Sequence, residues 1–182
     1  QDIVSFTGSA TTANQLRSHP AVLRSAVRFI AETDSINSCV LGADVAPGDP
    51  EFEAFVREVV REMTAKAGQK CTAIRKALVP AGRLDVVAEA IRAALGREDV
   101  RMGPLATLGQ RREVLARLSE LRREADPVSD ARLEPVGADF ERGAFVAPTL
   151  LLARNPAGAQ YVHTVEAFGP VCTALPYTST AE

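Results

Sequence analysis

The chain has 182 residues, of which 46% are hydrophobic and 24% charged, with a formal net charge of −2. This composition is ordinary for a globular protein, and the length allows one domain or part of a larger enzyme. The near-neutral charge and the 5% of aromatic residues argue against a nucleic-acid partner, and no apolar run is long enough for a membrane span.

The first part of the chain reads as short strands joined by turns. A buried strand is predicted at residues 2–6, a turn at 7–9 and a short helix at 11–17, which His19-Pro20 ends. Two more strands are predicted, at residues 26–30 and 38–41.

The middle of the chain carries the strongest helical pattern, over residues 52–67, and Gly68 is a natural helix stop. Its apolar stripe consists of Phe52, Phe55, Val56, Val59, Val60, Met63 and Ala67. The later predicted elements are strands at 75–79, 145–152 and 171–177 and helices at 83–95 and 109–124. Alternating strands and helices predict an α/β domain with a mainly parallel sheet.

The cysteines point to one candidate for chemistry. Cys39, Cys71 and Cys172 are odd in number and widely spaced, unlike a disulfide scaffold or a zinc site. We therefore expect no metal and a reducing compartment, the cytoplasm. Cys39 and Cys172 lie in apolar runs and are predicted to be core residues, which is also the default interpretation of Cys71.

Cys71 stands just past a predicted helix end, beside Lys70. The negative end of a helix macrodipole does not favour a thiolate. The ammonium of Lys70 would favour one if it points toward the sulfur. A nucleophilic role is the alternative to a small buried side chain.

Glu32, at the end of a predicted buried strand, is a candidate general base, because burial can raise the pKa of a carboxylate. The alternative is a loop acid or a helix cap. Gly8 and Ser9 stand between a strand and a helix start, where backbone N–H groups can bind an anion, although such junctions are common. Glu166 and Phe168 precede Gly169-Pro170 in a rigid bend, or in a simple turn.

Together these residues resemble the aldehyde dehydrogenase superfamily. Phe-Thr-Gly-Ser at 6–9 is similar to its cofactor turn, Gly-Gln-Lys-Cys at 68–71 to its nucleophile segment, and Glu-Ala-Phe-Gly-Pro-Val at 166–171 to its ribose-contacting loop. The resemblance implies an α/β catalytic domain with a mainly parallel sheet, at residues 33–182. The last part of a Rossmann-like cofactor domain would precede it, at residues 1–32.

A closer likeness is to the branch that oxidises CoA-linked semialdehydes after aromatic ring cleavage, in phenylacetate and benzoate degradation. Residues 32–37 and 59–75 carry it, together with the long interval between Glu32 and Cys71. This likeness implies that the substrate is a small-molecule aldehyde that is also a CoA thioester. It implies NADP, or else NAD, as cofactor.

The resemblance also implies roles for single residues. Cys71 would attack the aldehyde, a hydride would pass to the nicotinamide, and Glu32 would activate the water that releases the acid. The backbone N–H of Cys71 would help to stabilise the oxyanion. Gly8 and Ser9 would face the cofactor phosphates, Glu166 would bind the nicotinamide ribose, and Phe168 would pack nearby.

Two alternatives stay open. In a CoA-acylating dehydrogenase, CoA resolves the thioester, and a carboxylate placed as Glu32 argues against it. In the other, the chain is a non-enzymatic folded domain. Because it starts in one predicted strand and stops just after another, we expect a fragment of a longer protein that forms a homo-oligomer. The fragment alone would lack the family's adenosine-binding residues and its oxyanion Asn.

Overall fold

The computed structural model describes residues 2–97, 101–128, 135 and 137–179, so the last three residues of the C-terminal tail lie outside the described part. The chain divides into two compact units, one ending at Ser35 and the other beginning at Ile36. Each unit is described by itself.

The first unit is a β–α–β arrangement. Strands β1 (Ile3–Thr7) and β2 (Arg28–Glu32) pair in parallel, and helices α1 (Ala10–Arg17) and α2 (Pro20–Arg24) connect them. The short helix α2 was not predicted. Its signal is a proline at the first helical position, where the missing N–H costs nothing.

The prediction that β1 is buried is wrong for the described residues. The strand alternates exposed and half-buried positions, and Ile3 is 58% exposed. Two strands and two short helices provide too little apolar surface to cover both faces of the pair.

The second unit contains, among the described residues, a five-stranded sheet in the order β3-β4-β7-β6-β5. The strands are β3 (Asn37–Val40), β4 (Ile74–Pro80), β5 (Asp126–Pro127), β6 (Thr149–Leu152) and β7 (Val171–Tyr177). β3, β4, β7 and β6 pair in parallel and β5 is antiparallel to β6, which confirms the mainly parallel α/β sheet.

Helices cover both faces of this sheet. They are α3 (Pro50–Thr64), α4 (Leu84–Leu95), α5 (Leu108–Leu121) and α6 (Tyr161–Thr164). Leu150 and Leu152 join the core beneath α3 and α4, whereas Leu151 joins the core beneath α5 and α6. Burial of successive residues on opposite faces is typical of a parallel strand. The sheet therefore holds the loops at its strand ends on a rigid base.

Several element boundaries differ from the sequence predictions, and the differences at α3 and β6 have a physical reason. The helix predicted to reach residue 67 ends at Thr64 and continues as a 3-10 turn, Ala65–Gly68. The strand predicted from residue 145 begins only at Thr149, directly after Pro148, whose missing N–H cannot contribute to a sheet ladder.

Candidate functional site

Cys71 is exposed, at the centre of a tight turn between α3 and β4. The N–H of Ala73 closes this turn on the carbonyl of Lys70 at 3.2 Å. The side-chain amide of Asn37 donates to the carbonyl of Cys71 at 2.6 Å and, more weakly, to that of Ala73 at 3.4 Å. The turn is thus fastened to the start of β3, and Cys71 on it stays exposed to solvent.

The chain reaches this turn through a left-handed stretch. Lys66, Ala67 and Gly68 have φ angles of 53°, 52° and 68°. The first two carry side chains, for which this conformation costs roughly 1–2 kcal/mol per residue. Such strain is retained only where the surrounding structure enforces it, and it is concentrated at functional sites.

The ammonium of Lys70 is bound by a carboxylate. Its Nζ lies 2.7 Å from both carboxylate oxygens of Glu62, on α3, whose side chain is only 9% exposed. The positive charge is therefore compensated by a carboxylate. The condition for Lys70 to favour a thiolate at Cys71 is not met in this arrangement.

Arg75 is the residue that the sequence analysis missed. It is 5% exposed, and its guanidinium donates to four oxygens. Nη2 donates to the carbonyls of Gly68 at 2.9 Å and Lys70 at 3.5 Å, Nη1 to the carbonyl of Gly169 at 2.7 Å, and Nε to Oε1 of Glu166 at 3.2 Å. Arg75 therefore joins the segment that leads to Cys71 with the segment that contains Glu166.

The electrostatics of this arginine explain its partners. Burial lowers the pKa of Arg75 from its ordinary value, and the charge and hydrogen bond of Glu166 counteract that effect. An arginine this deep needs a carboxylate beside it, since an unpaired buried charge is costly. A signal for Arg75 existed in the sequence, because Arg75 and Lys76 are two adjacent charged residues in a strand that is otherwise apolar.

The loop with Glu166 and Phe168 is compact. The N–H of Gly169 donates to the carbonyl of Ala167 at 2.7 Å, and that of Val171 to the carbonyl of Gly169 at 2.8 Å. Phe168 is 39% exposed, and its ring centroid lies 5.3 Å from Cζ of Arg75. The structure thus brings the segments of Cys71, Glu166 and Phe168 together around one guanidinium.

A cavity of about 450 Å³ opens beside this loop, with Phe168, Gln69, Lys66 and Gln110 in its lining. Oε1 of Gln69 accepts from the N–H of Ala106 at 2.9 Å. Its Nε2 is buried with no hydrogen-bond partner among the described residues. A buried amide donor of this kind requires an acceptor, which a bound polar molecule can supply.

In the first unit, Gly8, Ser9 and Glu32 lie at one edge of the strand pair. The N–H of Gly8 donates to the carbonyl of Glu32 at 3.1 Å, so it is already used by the protein. The side chain of Glu32 is exposed at the end of β2, not buried as its strand was predicted to be.

The start of α1 is capped by the chain itself. Oγ of Ser9 accepts from the N–H of Thr12 at 3.2 Å, and Oδ1 of Asp34 accepts from the N–H of Ala10 at 3.0 Å. A carboxylate therefore lies where the sequence analysis expects a phosphate. The phosphate roles of Gly8 and Ser9 stay predictions.

The other two thiols are less accessible. Burial raises the pKa of Cys172 to about 12, and burial, with the charge of Glu58, raises that of Cys39. Among the described residues no three His, Cys, Asp or Glu side chains gather as a metal site would require. No helix in the same part of the chain is long and apolar enough to cross a membrane.

Residues 1–182 match the aldehyde dehydrogenase family over their full length. The 3,4-dehydroadipyl-CoA semialdehyde dehydrogenase of Aromatoleum evansii is 47% identical to this chain over 191 residues, which cover 100% of the chain and 37% of that protein. The 3-succinoylsemialdehyde-pyridine dehydrogenase of a Pseudomonas species is 30% identical, over 97% of this chain and 36% of that protein. The chain thus spans little more than a third of either relative.

Two solved structures have the same fold. Betaine aldehyde dehydrogenase of Staphylococcus aureus, in complex with NAD+, superposes with a TM-score of 0.80 at 22% identity, over 100% of this chain and 36% of that chain. An aldehyde dehydrogenase of Bartonella henselae superposes with a TM-score of 0.75 at 20% identity, over 100% of this chain and 37% of that chain. The expected fold class is confirmed, and with the match over all 182 residues, this chain belongs to the aldehyde dehydrogenase family.

Proposed function

We propose that the intact protein that carries this chain oxidises an aldehyde to a carboxylic acid with NAD or NADP, through Cys71 as nucleophile. The observation that carries the proposal is the exposed thiol of Cys71 on a turn that Asn37 and Arg75 hold from two sides. Precise placement of a nucleophile is worth more to catalysis than its reactivity alone, because the reacting atoms must meet in a fixed geometry.

The proposed steps use this chain's own groups. The sulfur of Cys71 forms a bond to the aldehyde carbon while its thiol proton passes to solvent water, and the backbone N–H of Cys71 helps to stabilise the oxygen. A bound nicotinamide would supply the acceptor for the hydride that leaves that carbon. Glu32 then takes a proton from water, whose oxygen displaces the sulfur and releases the acid, and the displaced sulfur regains a proton from solvent. The roles of Glu32 and Cys71 rest on the family resemblance.

The cavity beside Phe168 fits a nicotinamide nucleoside in chemical terms. Nε2 of Gln69 is a buried donor in need of an acceptor, and Phe168 offers an aromatic face. Glu166 stands two residues before Phe168 in the same loop, and its Oε1 accepts from Arg75. The role of Glu166 as the ribose ligand rests on the family resemblance. NADP rather than NAD follows from the branch likeness alone.

A CoA-linked semialdehyde is the proposed substrate class. It is supported by the relative from Aromatoleum evansii, whose name states such a substrate, at 47% identity. Degradation of an aromatic compound, whether benzoate or phenylacetate, is the proposed context. A homo-oligomer in the cytoplasm is proposed on the family likeness and on the three widely spaced thiols.

From the same likeness we propose two domains. Residues 1–32 belong to the cofactor domain and residues 33–182 to the catalytic domain. The division of the structure after Ser35 supports a boundary in this region. The intact protein is the catalyst in this proposal, since the chain spans 37% of its relative.

The test is a product analysis with the intact protein. CoA-linked and free aldehydes are supplied with NAD or NADP, with and without added CoA, and reduced cofactor and products are measured. The proposal expects a carboxylic acid whether or not CoA is added, and none from Cys71→Ser. Formation of a second CoA thioester in place of the acid would favour the CoA-acylating alternative. No cofactor reduction with any aldehyde would favour a non-enzymatic domain.

A further inference from the structure

We propose that Arg75 is a positioning residue that couples the cofactor-side segment, residues 166–170, to the nucleophile segment, residues 66–73. This inference rests on the proposed function for its catalytic meaning. The contacts on which it stands all lie within the second unit and do not depend on the function.

The two segments share one guanidinium. The donors toward the nucleophile segment go to the carbonyls of Gly68 and Lys70, at 2.9 and 3.5 Å. Those toward the cofactor-side segment go to Glu166 and to the carbonyl of Gly169, at 3.2 and 2.7 Å. A guanidinium is planar and rigid, so displacing one set of acceptors misaligns the donors to the other set.

Burying this ion pair carries a desolvation cost. The side chains of Arg75 and Glu166 are only 4% and 9% exposed, and a buried ion pair is weak as a source of stability. Buried pairs of this kind serve better to fix one geometry. The geometry fixed here is that of the turn that presents Cys71.

Glu166 connects Arg75 with the loop that contains Phe168. Its carboxylate binds Arg75 and belongs to the loop with Phe168, whose ring also covers the guanidinium. A ligand that forms hydrogen bonds with the carboxylate of Glu166 therefore changes how that carboxylate accepts from Arg75. The effect reaches the carbonyls of Gly68 and Lys70, in the three residues before Cys71.

The nearest other charges do not replace Arg75. Lys70 is held by Glu62, and Glu62 also accepts from Arg61 at 3.3 Å. That cluster fastens the nucleophile segment to α3. The guanidinium of Arg75 instead donates to both segments.

The experiment is a double-mutant cycle in the intact protein, read at Cys71 without cofactor. The variants are Glu166→Gln, Arg75→Lys and the two combined; the readout is the rate at which iodoacetamide alkylates Cys71, measured by peptide mass spectrometry. Glu166→Gln should change that rate about threefold or more, and the change should disappear in the Arg75→Lys background. Lysine keeps the charge but cannot donate to four oxygens at once.

Cofactor affinity is the second readout, by titration calorimetry. Arg75→Lys should weaken binding about tenfold, because Glu166, the proposed ribose ligand, loses the donor that fixes its carboxylate. Arg92→Lys is the matched control, because Arg92 is an exposed arginine on α4 that pairs with Glu89. It should leave both readouts unchanged.

Two results overturn the inference. One is a Glu166→Gln variant that alkylates at the wild-type rate, which decides the matter even if Arg75→Lys does not fold. The other is an effect of Glu166→Gln that persists with Lys at position 75, since transmission would then bypass Arg75. Failure of the proposed function gives a different result. The double-mutant cycle then shows the expected coupling of Glu166 and Arg75, but the wild-type protein reduces no cofactor with any aldehyde.

Discussion

Gly68 and Gly169 lie so close that a β-carbon on Gly68 would overlap the carbonyl oxygen of Gly169. One glycine belongs to the nucleophile segment and the other to the loop with Glu166. The two sequence motifs therefore meet backbone to backbone, and the hydrogen bonds of Arg75 to both carbonyls lie around that contact.

Gly68→Ala should destabilise the protein markedly, because the new methyl group meets backbone that cannot move without the neighbouring loop. The left-handed φ of 68° adds roughly 1–2 kcal/mol. The free energy of unfolding in urea measures the effect. Gly82→Ala is the control, since a β-carbon there meets nothing within 4 Å. Equal stability of the two variants would contradict the close contact.

Thiol labelling should separate the three cysteines in the folded protein. Cys71 is exposed and should react first, whereas Cys172 should stay unlabelled. The pKa of Cys172 is raised to about 12, so its reactive thiolate appears only as the pH rises toward that value. Peptide mass spectrometry after brief alkylation at pH 7 and pH 9 checks the order. Prompt labelling of Cys172 at either pH would mean that its strand is not buried as described.

The sequence predicted the framework well where periodicity is local. The apolar stripe of α3 and the alternation of strands and helices follow from residues that are neighbours in the chain. The last turn of α3 did not follow, because Lys66 and Ala67 adopt left-handed φ angles that their residue types do not signal.

The candidate site divides in the same way. The position of Cys71 just past a helix end was predicted from the sequence, but its exposure was not, and the role of Arg75 depends on Glu166, 91 residues away in sequence. No local pattern indicates such a pairing. Likewise the partner of Lys70 could not be known until α3 brought Glu62 within 2.7 Å.

Lys70→Met should leave the alkylation rate of Cys71 within about twofold of wild type, because the ammonium is engaged by Glu62. The same change should lower the free energy of unfolding, since the carboxylate of Glu62 loses its bidentate partner. The double variant Lys70→Met with Glu62→Gln should recover part of that loss. A large drop in thiol reactivity at Cys71 with unchanged stability would show that Lys70 acts on the sulfur instead.

Asp34→Asn tests the phosphate role proposed for Gly8 and Ser9. The amide oxygen can still accept from the N–H of Ala10, but the negative charge at the start of α1 is gone. Cofactor affinity of the intact protein should rise several-fold, roughly the 0.3–1 kcal/mol of a charge at a helix end. Asp44→Asn, in a loop of the second unit, serves as control. Unchanged affinity would argue that the phosphates bind elsewhere.

The most direct test of the account is a rapid-quench experiment on Glu32→Gln in the intact protein. Aldehyde and cofactor are mixed with the variant, and the reaction is stopped in acid. The protein is then digested, and the masses of its peptides are measured by mass spectrometry. The account predicts a burst of reduced cofactor, slow release of acid, and an acyl group on the peptide that contains Cys71, absent from Cys71→Ser. Turnover with no acyl group on Cys71, or with the group on Cys39, would contradict it.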